Sequence, residues 1–190
     1  MRSPSEGARR ADMKILTLLR HAKSTWDDPV ARDFDRPLNG RGRKAARTVG
    51  REMRAQGLAF DAIIASPALR VVQTLRDVAE GYGHALNPAQ DEDLYLASPA
   101  LLLERIQQVD DAVARLLVVG HNPGLEQLAL LLAGTDQTGL LAELELKYPT
   151  ATVADLHFPV KRWADVAEGG GTLTRFIRPR DLDPELGPEE

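Results

Sequence analysis

Five side chains stand where short apolar runs of this sequence end. Arg20 and His21 follow Ile15 to Leu19, Ser66 and, one helical turn on, Arg70 follow Ala62 to Ala65, and His121 follows Leu116 to Val119. Two guanidinium forks can clamp an anion, and two imidazoles at the same opening can supply a nucleophile and an electrostatic partner. That is the equipment for holding and transferring a phosphoryl group. Helix starts after Ser66 and after Asn122-Pro123-Gly124 would turn backbone N–H groups toward the same opening. Any one of these residues has an ordinary reading, as a loop salt bridge or a scaffold histidine; the combination is what carries weight.

The elements that must position them are legible as alternating short apolar runs and longer helical patterns. Ile15 to Leu19 has the length of a buried strand. Asn39 caps a helix in which Ala45, Ala46, Val49 and Met53 recur at helical spacing, and Gly57 stops it. Ala62 to Ala65 is a second strand, with Ser66 as cap and Pro67 as first residue of the helix carrying Val71, Val72, Leu75, Val78 and Ala79; Gly81 and Gly83 close that helix. A weak third strand falls near Ala85-Leu86, and Ser98-Pro99 opens a helix through Ile106. Leu116 to Val119 is a fourth strand, followed by a helix over Gly124 to Leu132. Thr150 to Phe158 and Gly171 to Ile177 alternate like half-exposed strands, an antiparallel pair at the end of the sheet. The expected fold is therefore α/β, a three-layer sandwich with a mostly parallel central sheet flanked by helices, and ligands in such sheets sit beyond the carboxyl ends of the strands.

Composition narrows the chemistry further. With no Cys among 190 residues, a thiol nucleophile, a disulfide framework and a thiolate metal site are excluded. The net charge of −4 argues against a nucleic-acid partner. Residues 1–80 hold 16 basic and 10 acidic side chains, and residues 81–190 hold 8 and 18, an asymmetry that by itself is no more than solvated surface. No H-E-x-x-H or similar spacing calls for a metal, and no glycine-rich phosphate loop calls for a nucleotide, so neither metal nor cofactor is expected. Residues 1–12 are read as a disordered leader, with Met13 a plausible start, 13–182 as one domain and 183–190 as a flexible tail, the fraying setting in from Pro179. No apolar run reaches the length of a membrane span, and the chain is expected in the cytoplasm.

Three segments, Leu19-Arg20-His21-Ala22-Lys23-Ser24, Ser66-Pro67-Ala68-Leu69-Arg70-Val71-Val72-Gln73-Thr74 and Val118-Val119-Gly120-His121-Asn122-Pro123, resemble the signatures of the histidine phosphatase superfamily, also called phosphoglycerate mutase-like. The R-H-A-K-S variant, Asp35-Arg36-Pro37-Leu38-Asn39 and the G-H-N-P segment are most similar to its small SixA-type phosphohistidine phosphatases. The resemblance runs from about Met13 to Leu182. It implies that His21 is the nucleophile and that Arg20, Arg70 and His121 hold the phosphoryl oxygens, with Lys23, Ser66 and Asn122 in substrate contact. His21 then needs a hydrogen bond at its other ring nitrogen, expected from a backbone carbonyl, and His121 would serve best protonated.

Larger members carry an acid after the third strand, where this chain reads Asp91-Glu92-Asp93-Leu94-Tyr95-Leu96 and places Leu96 at the acidic position. The usual proton donor is absent; Asp27 and Asp93 are the leading substitutes, with Asp28 and Glu92 behind them. An alkoxide leaving group needs such an acid, whereas imidazole leaving from phosphohistidine does not. The implied activity is a metal-independent phosphatase with a phosphorylated protein as substrate; a small phosphorylated metabolite cleaved by a phosphomonoesterase, and an inactive phosphate-binding module, are the alternatives. Oligomeric state is left open. His84 and His157 read as structural, Asp91 to Asp93 as a solvated approach, and Arg41-Gly42-Arg43-Lys44 as surface.

Overall fold

A computed structural model describes residues 13–27, 29 and 32–187. The expected leader, 1–12, lies outside them. Seven strands form one sheet: β1 (Lys14–Arg20), β2 (Ala62–Ala65), β3 (Ala89–Gln90), β4 (Arg115–Gly120), β5 (Ala133–Asp136), β6 (Val153–Phe158) and β7 (Gly171–Ile177), in the order β3-β2-β4-β1-β6-β7-β5. β1 pairs in parallel with β4, β4 with β2, β2 with β3, and β5 with β7. Only β6 runs against its two neighbours.

Side chains alternate across the central strands and so feed two apolar layers. Leu16, Leu18, Leu116 and Val118 face α3 (Pro99–Gln107), α4 (Gly124–Leu132) and α5 (Leu140–Leu146); Leu19, Leu117 and Val119 face α1 (Gly40–Ala55) and α2 (Leu69–Tyr82). Parallel strands buried on both faces read as unbroken apolar runs, which is why β1 and β4 were visible in the sequence.

Caps follow their expected chemistry at two helices. The Asn39 side chain accepts the Gly42 N–H at the start of α1, and Ser98 accepts the Leu101 N–H ahead of Pro99 in α3. At α2 the expectation fails. The helix begins at Leu69 with Ala68 at its cap, two residues later than expected, and the Ser66 hydroxyl meets the Ala68 N–H and the His121 ring instead. Gly83, at a φ of 83°, ends that helix in the left-handed conformation, whereas Gly81 lies inside it.

Three other expectations are corrected, and two elements were not foreseen. The third strand falls at Ala89–Gln90 rather than Ala85-Leu86, since Pro88 has no N–H to give the sheet and Leu86 packs on the apolar layer instead. β6 is buried at every residue but His157, because it lies between β1 and β7 with an apolar layer on each face. β5, with the sequence Ala-Gly-Thr-Asp, and α5 carried no readable signal. Residues 179–182 form a short helix, α6 (Pro179–Leu182), and 184–186 a 3-10 turn that buries Leu186 against α1's layer, so residues 183–187 are folded rather than flexible. Lys44 pairs with Asp183 and Glu185 to hold that turn.

Candidate active site

The strand ends converge as the sheet order requires. Arg20 of β1 is in register with Gly120 of β4, and the His21 N–H donates to the Gly120 carbonyl at 3.0 Å, so the residues that follow, His21 and His121, stand side by side with ring centroids 5.3 Å apart. β2 lies on the other side of β4 and delivers Ser66, whose Oγ is 2.8 Å from His121 Nε2; the first turn of α2 then brings Arg70. His21, His121 and Arg70 are all buried.

His21 Nδ1 lies 2.8 Å from the Ala22 carbonyl. A carbonyl only accepts, so Nδ1 carries the proton and Nε2 presents its lone pair. The Ala22 backbone is itself fixed, its N–H donating to Thr74 Oγ1 of α2. The following residue is pressed onto α1: a Cβ on Gly42 would lie 2.1 Å from the Lys23 carbonyl, and only glycine allows this approach.

Burial, with Arg70 and Arg20 nearby, pushes the His21 imidazole down to about 4. Burial, then the neighbouring His21 and Arg70, pushes His121 down to about 3. The expectation of a protonated His121 therefore does not hold in the free protein, where desolvation makes a third cation beside Arg70 and Arg20 too costly. His121 Nδ1 is buried and has no hydrogen-bond partner among the described residues. Both rings bind protons more readily when unfolded, so between their ordinary value and about 4 stability must fall as pH falls. An NMR titration of the ligand-free protein is expected to leave the His21 and His121 resonances unmoved between pH 5 and 8. A midpoint above 6 for either would overturn the desolvated arrangement.

The arginines are held by oxygen atoms on both sides of the site. Arg20 Nη1 donates to the Tyr148 carbonyl at 2.7 Å, and its buried Nε has no partner among the described residues. Arg70 Nη1 donates to the Asp33 carbonyl at 2.6 Å and its Nη2 to Asp33 Oδ2 at 3.0 Å. Asp33 was not foreseen. Its carboxylate also takes the Tyr95 hydroxyl at 2.5 Å and Arg36 Nη1 at 2.8 Å. Those contacts, Tyr95 first and then Arg36 and Arg70, hold it far below the usual carboxylate range. Tyr95 in turn sets its ring edge-on to His121, with centroids 5.3 Å apart. The signal that could have found Asp33 was its spacing: three residues ahead of Arg36, just before the R-P-L-N segment that enters α1.

Of the other candidates, Lys23 lies beside Arg20 on the wall of an adjoining groove. The Asn122 amide donates to Glu126 Oε2 at 2.8 Å and to the Tyr148 carbonyl at 3.2 Å, which braces Arg20's own partner. Both candidate proton donors are exposed. Asp27 is exposed on the loop, and Asp93 is an exposed partner of Arg105. Leu96 is exposed as well.

The model of the histidine phosphatase superfamily (branch 1) matches residues 16–95, and an uncharacterized protein of Mycobacterium tuberculosis is 40% identical over 165 residues, spanning 85% of this chain and all of the relative. The chain belongs to the histidine phosphatase superfamily. Among solved structures, the proposed phosphohistidine phosphatase SixA of Nakamurella multipartitia is 29% identical, with a TM-score of 0.73 over 88% of this chain and 96% of that one. Its counterpart from Agrobacterium tumefaciens is 28% identical, with a TM-score of 0.70 over 86% and 97%. As a histidine phosphatase the chain is a phosphoryl hydrolase, and its α/β sheet is the one these neighbours share. No helix among the described residues is long and apolar enough to cross a membrane.

Proposed function

We propose that this histidine phosphatase removes the phosphoryl group from phosphohistidine on a protein, with His21 as nucleophile, acting in the cytoplasm. His21 Nε2 attacks phosphorus while Arg20 and Arg70 take up charge on the equatorial oxygens. Ser66 Oγ accepts the Ala68 N–H, so donating its own proton to His121 Nε2 leaves the His121 Nδ1–H as a neutral donor to the same oxygens. The bond from phosphorus to the substrate nitrogen breaks, and imidazole leaves with the electron pair. It needs no added proton when its other nitrogen already carries one. Water then attacks the phosphorylated His21, Nε2 regains its lone pair, and both water protons end on phosphate or solvent.

One observation carries the choice of substrate. The carboxylate that stands in the site, Asp33, is clamped in its ionised form by Tyr95, Arg36 and Arg70. An alkoxide must be protonated as it departs, and a carboxyl group held this far toward ionisation is a poor donor. A phosphoramidate dispenses with that step. The SixA-named neighbours support the same reading.

The test is side-by-side turnover of a phosphohistidine protein, an aryl phosphate and a panel of sugar phosphates. The phosphohistidine protein is expected to be favoured by at least about a hundredfold in kcat/KM over the sugar phosphates, equivalent to roughly 3 kcal/mol of transition-state discrimination. A preference for a sugar phosphate would replace this substrate by the small-molecule phosphomonoester while leaving the nucleophile in place.

A further inference from the structure

Among the described residues, the Arg20 side chain hangs on a single hydrogen bond. Its Nη1 donates to the Tyr148 carbonyl at 2.7 Å, its Nε is buried without a partner, and no carboxylate pairs with it. Where that carbonyl stands therefore decides where the guanidinium stands. Tyr148 is fully buried, and its hydroxyl donates to the Leu18 carbonyl at 2.8 Å, which ties the ring to β1, the strand that carries Arg20. The Tyr148 carbonyl has a separate brace: Asn122 Nδ2 donates to it at 3.2 Å and to Glu126 Oε2 at 2.8 Å. Two acceptors on one side of the amide admit only its NH2 end. The penalty falls on the other end, where Asn122 Oδ1 is buried and has no partner among the described residues. A buried acceptor left unpaired is unfavourable, so the amide must be held against turning over, and the charged Glu126 carboxylate is the stronger of its two acceptors.

We infer that Glu126 is a positioning residue for the phosphoryl site: it fixes the Asn122 amide, the amide braces the Tyr148 carbonyl, and the carbonyl aims Arg20. The inference rests on the part that the proposed function gives to Arg20 and deepens it. It also gives Asn122 a place in the site other than substrate contact. Glu126 stands in the first turn of α4, where an acid favours the helix start whatever else it does. Two observations go beyond that role. The hydrogen bond of its carboxylate goes to a side chain ahead of the helix, four residues back, and not to the N–H groups of the helix start. Burial pulls the Arg20 guanidinium below its ordinary value, and the Glu126 charge pushes it back up with no ion pair between them.

Calorimetric titration with inorganic phosphate tests this whichever substrate the enzyme prefers. Glu126→Ala and Asn122→Ala are each expected to raise Kd about tenfold, and the double variant to raise it no further, since both cut one line of contacts. Glu126→Gln keeps an acceptor and loses the charge, and is expected to recover most of that loss, with Kd about threefold above the wild type. A role confined to the helix start would lower the melting temperature and leave Kd alone. An unchanged Kd in Glu126→Ala therefore overturns the inference, as does an unchanged Kd in Glu126→Gln should the alanine variant not fold. A loss in Asn122→Ala with none in Glu126→Ala makes Asn122 a direct phosphate ligand and also overturns it. So does a double variant whose loss is the product of the two single losses. Arg20→Ala is the reference, expected to weaken phosphate binding by more than about tenfold. If Arg20→Ala binds phosphate as the wild type does, the part of Arg20 in the proposed function falls and takes the inference with it. If Arg20→Ala loses affinity and Glu126→Ala does not, the inference falls alone.

Discussion

His21→Ala is expected to abolish turnover, with kcat/KM falling by more than about 10⁴ on every substrate, because the covalent route has no second nucleophile to use. His121 cannot stand in. Its Nε2 is occupied by the Ser66 hydroxyl, 2.8 Å away. The decisive readout is covalent as well as kinetic. Wild-type enzyme quenched in alkali during turnover of a labelled substrate should carry label on one histidine, and the variant should carry none. Circular dichroism of the variant is expected to match the wild type, since His21 contributes one hydrogen bond to a neighbouring carbonyl and no large share of the apolar layers. Residual activity within tenfold of wild type would remove His21 from the mechanism.

The second large effect is at Arg70. Arg70→Ala is expected to lower kcat by about 10² to 10³, the scale set by removing one fixed donor from a developing oxyanion. Lysine should rescue little, since a point charge does not reproduce the fork that spans the Asp33 carbonyl and carboxylate. The companion change, Asp33→Asn, is expected to act with the opposite sign on one quantity. In the free protein Asp33 holds the guanidinium that a phosphoryl oxygen would need, so losing its charge should tighten competitive inhibition by inorganic phosphate. A charge-assisted hydrogen bond contributes about 1.5 to 3 kcal/mol, so a gain of roughly tenfold is expected. Inhibition constants measured for both variants separate the two roles. If Asp33→Asn weakens phosphate inhibition, the carboxylate aligns Arg70 rather than competing for it.

The sequence made the central part of this arrangement readable because its signals are strong and local. Strands buried on both faces leave unbroken apolar runs, and the residues at their ends, Arg20, His21, Ser66 and His121, could be named before any coordinates. Asn39 and Ser98 announced their helices by capping. The readings that failed concern competition between distant partners. Ser66 looked like a cap by local sequence, and only the approach of β4 shows that its hydroxyl also meets the His121 ring. Asp33 and Tyr95 lie far apart in the chain and meet through folding, so the hydroxyl that joins Arg70 on the Asp33 carboxylate has no local trace. Asn122 was in the correct segment but turned toward Glu126, a choice set by rotamer and not by spacing. Residues 183–187 looked like a tail because, among them, Leu186 alone makes their apolar contact.

The register that aligns Arg20 with Gly120 has a consequence for how the protein is made. A growing chain carries His21, Arg20 and Arg70 long before β4 is synthesised, yet β4 both supplies His121 and separates β1 from β2 in the sheet. Until it inserts, the strands bearing the nucleophile and the Arg70 helix have no fixed spacing. The nascent enzyme is therefore expected to be inactive, and on refolding phosphatase activity is expected to return only with the insertion of this one central strand.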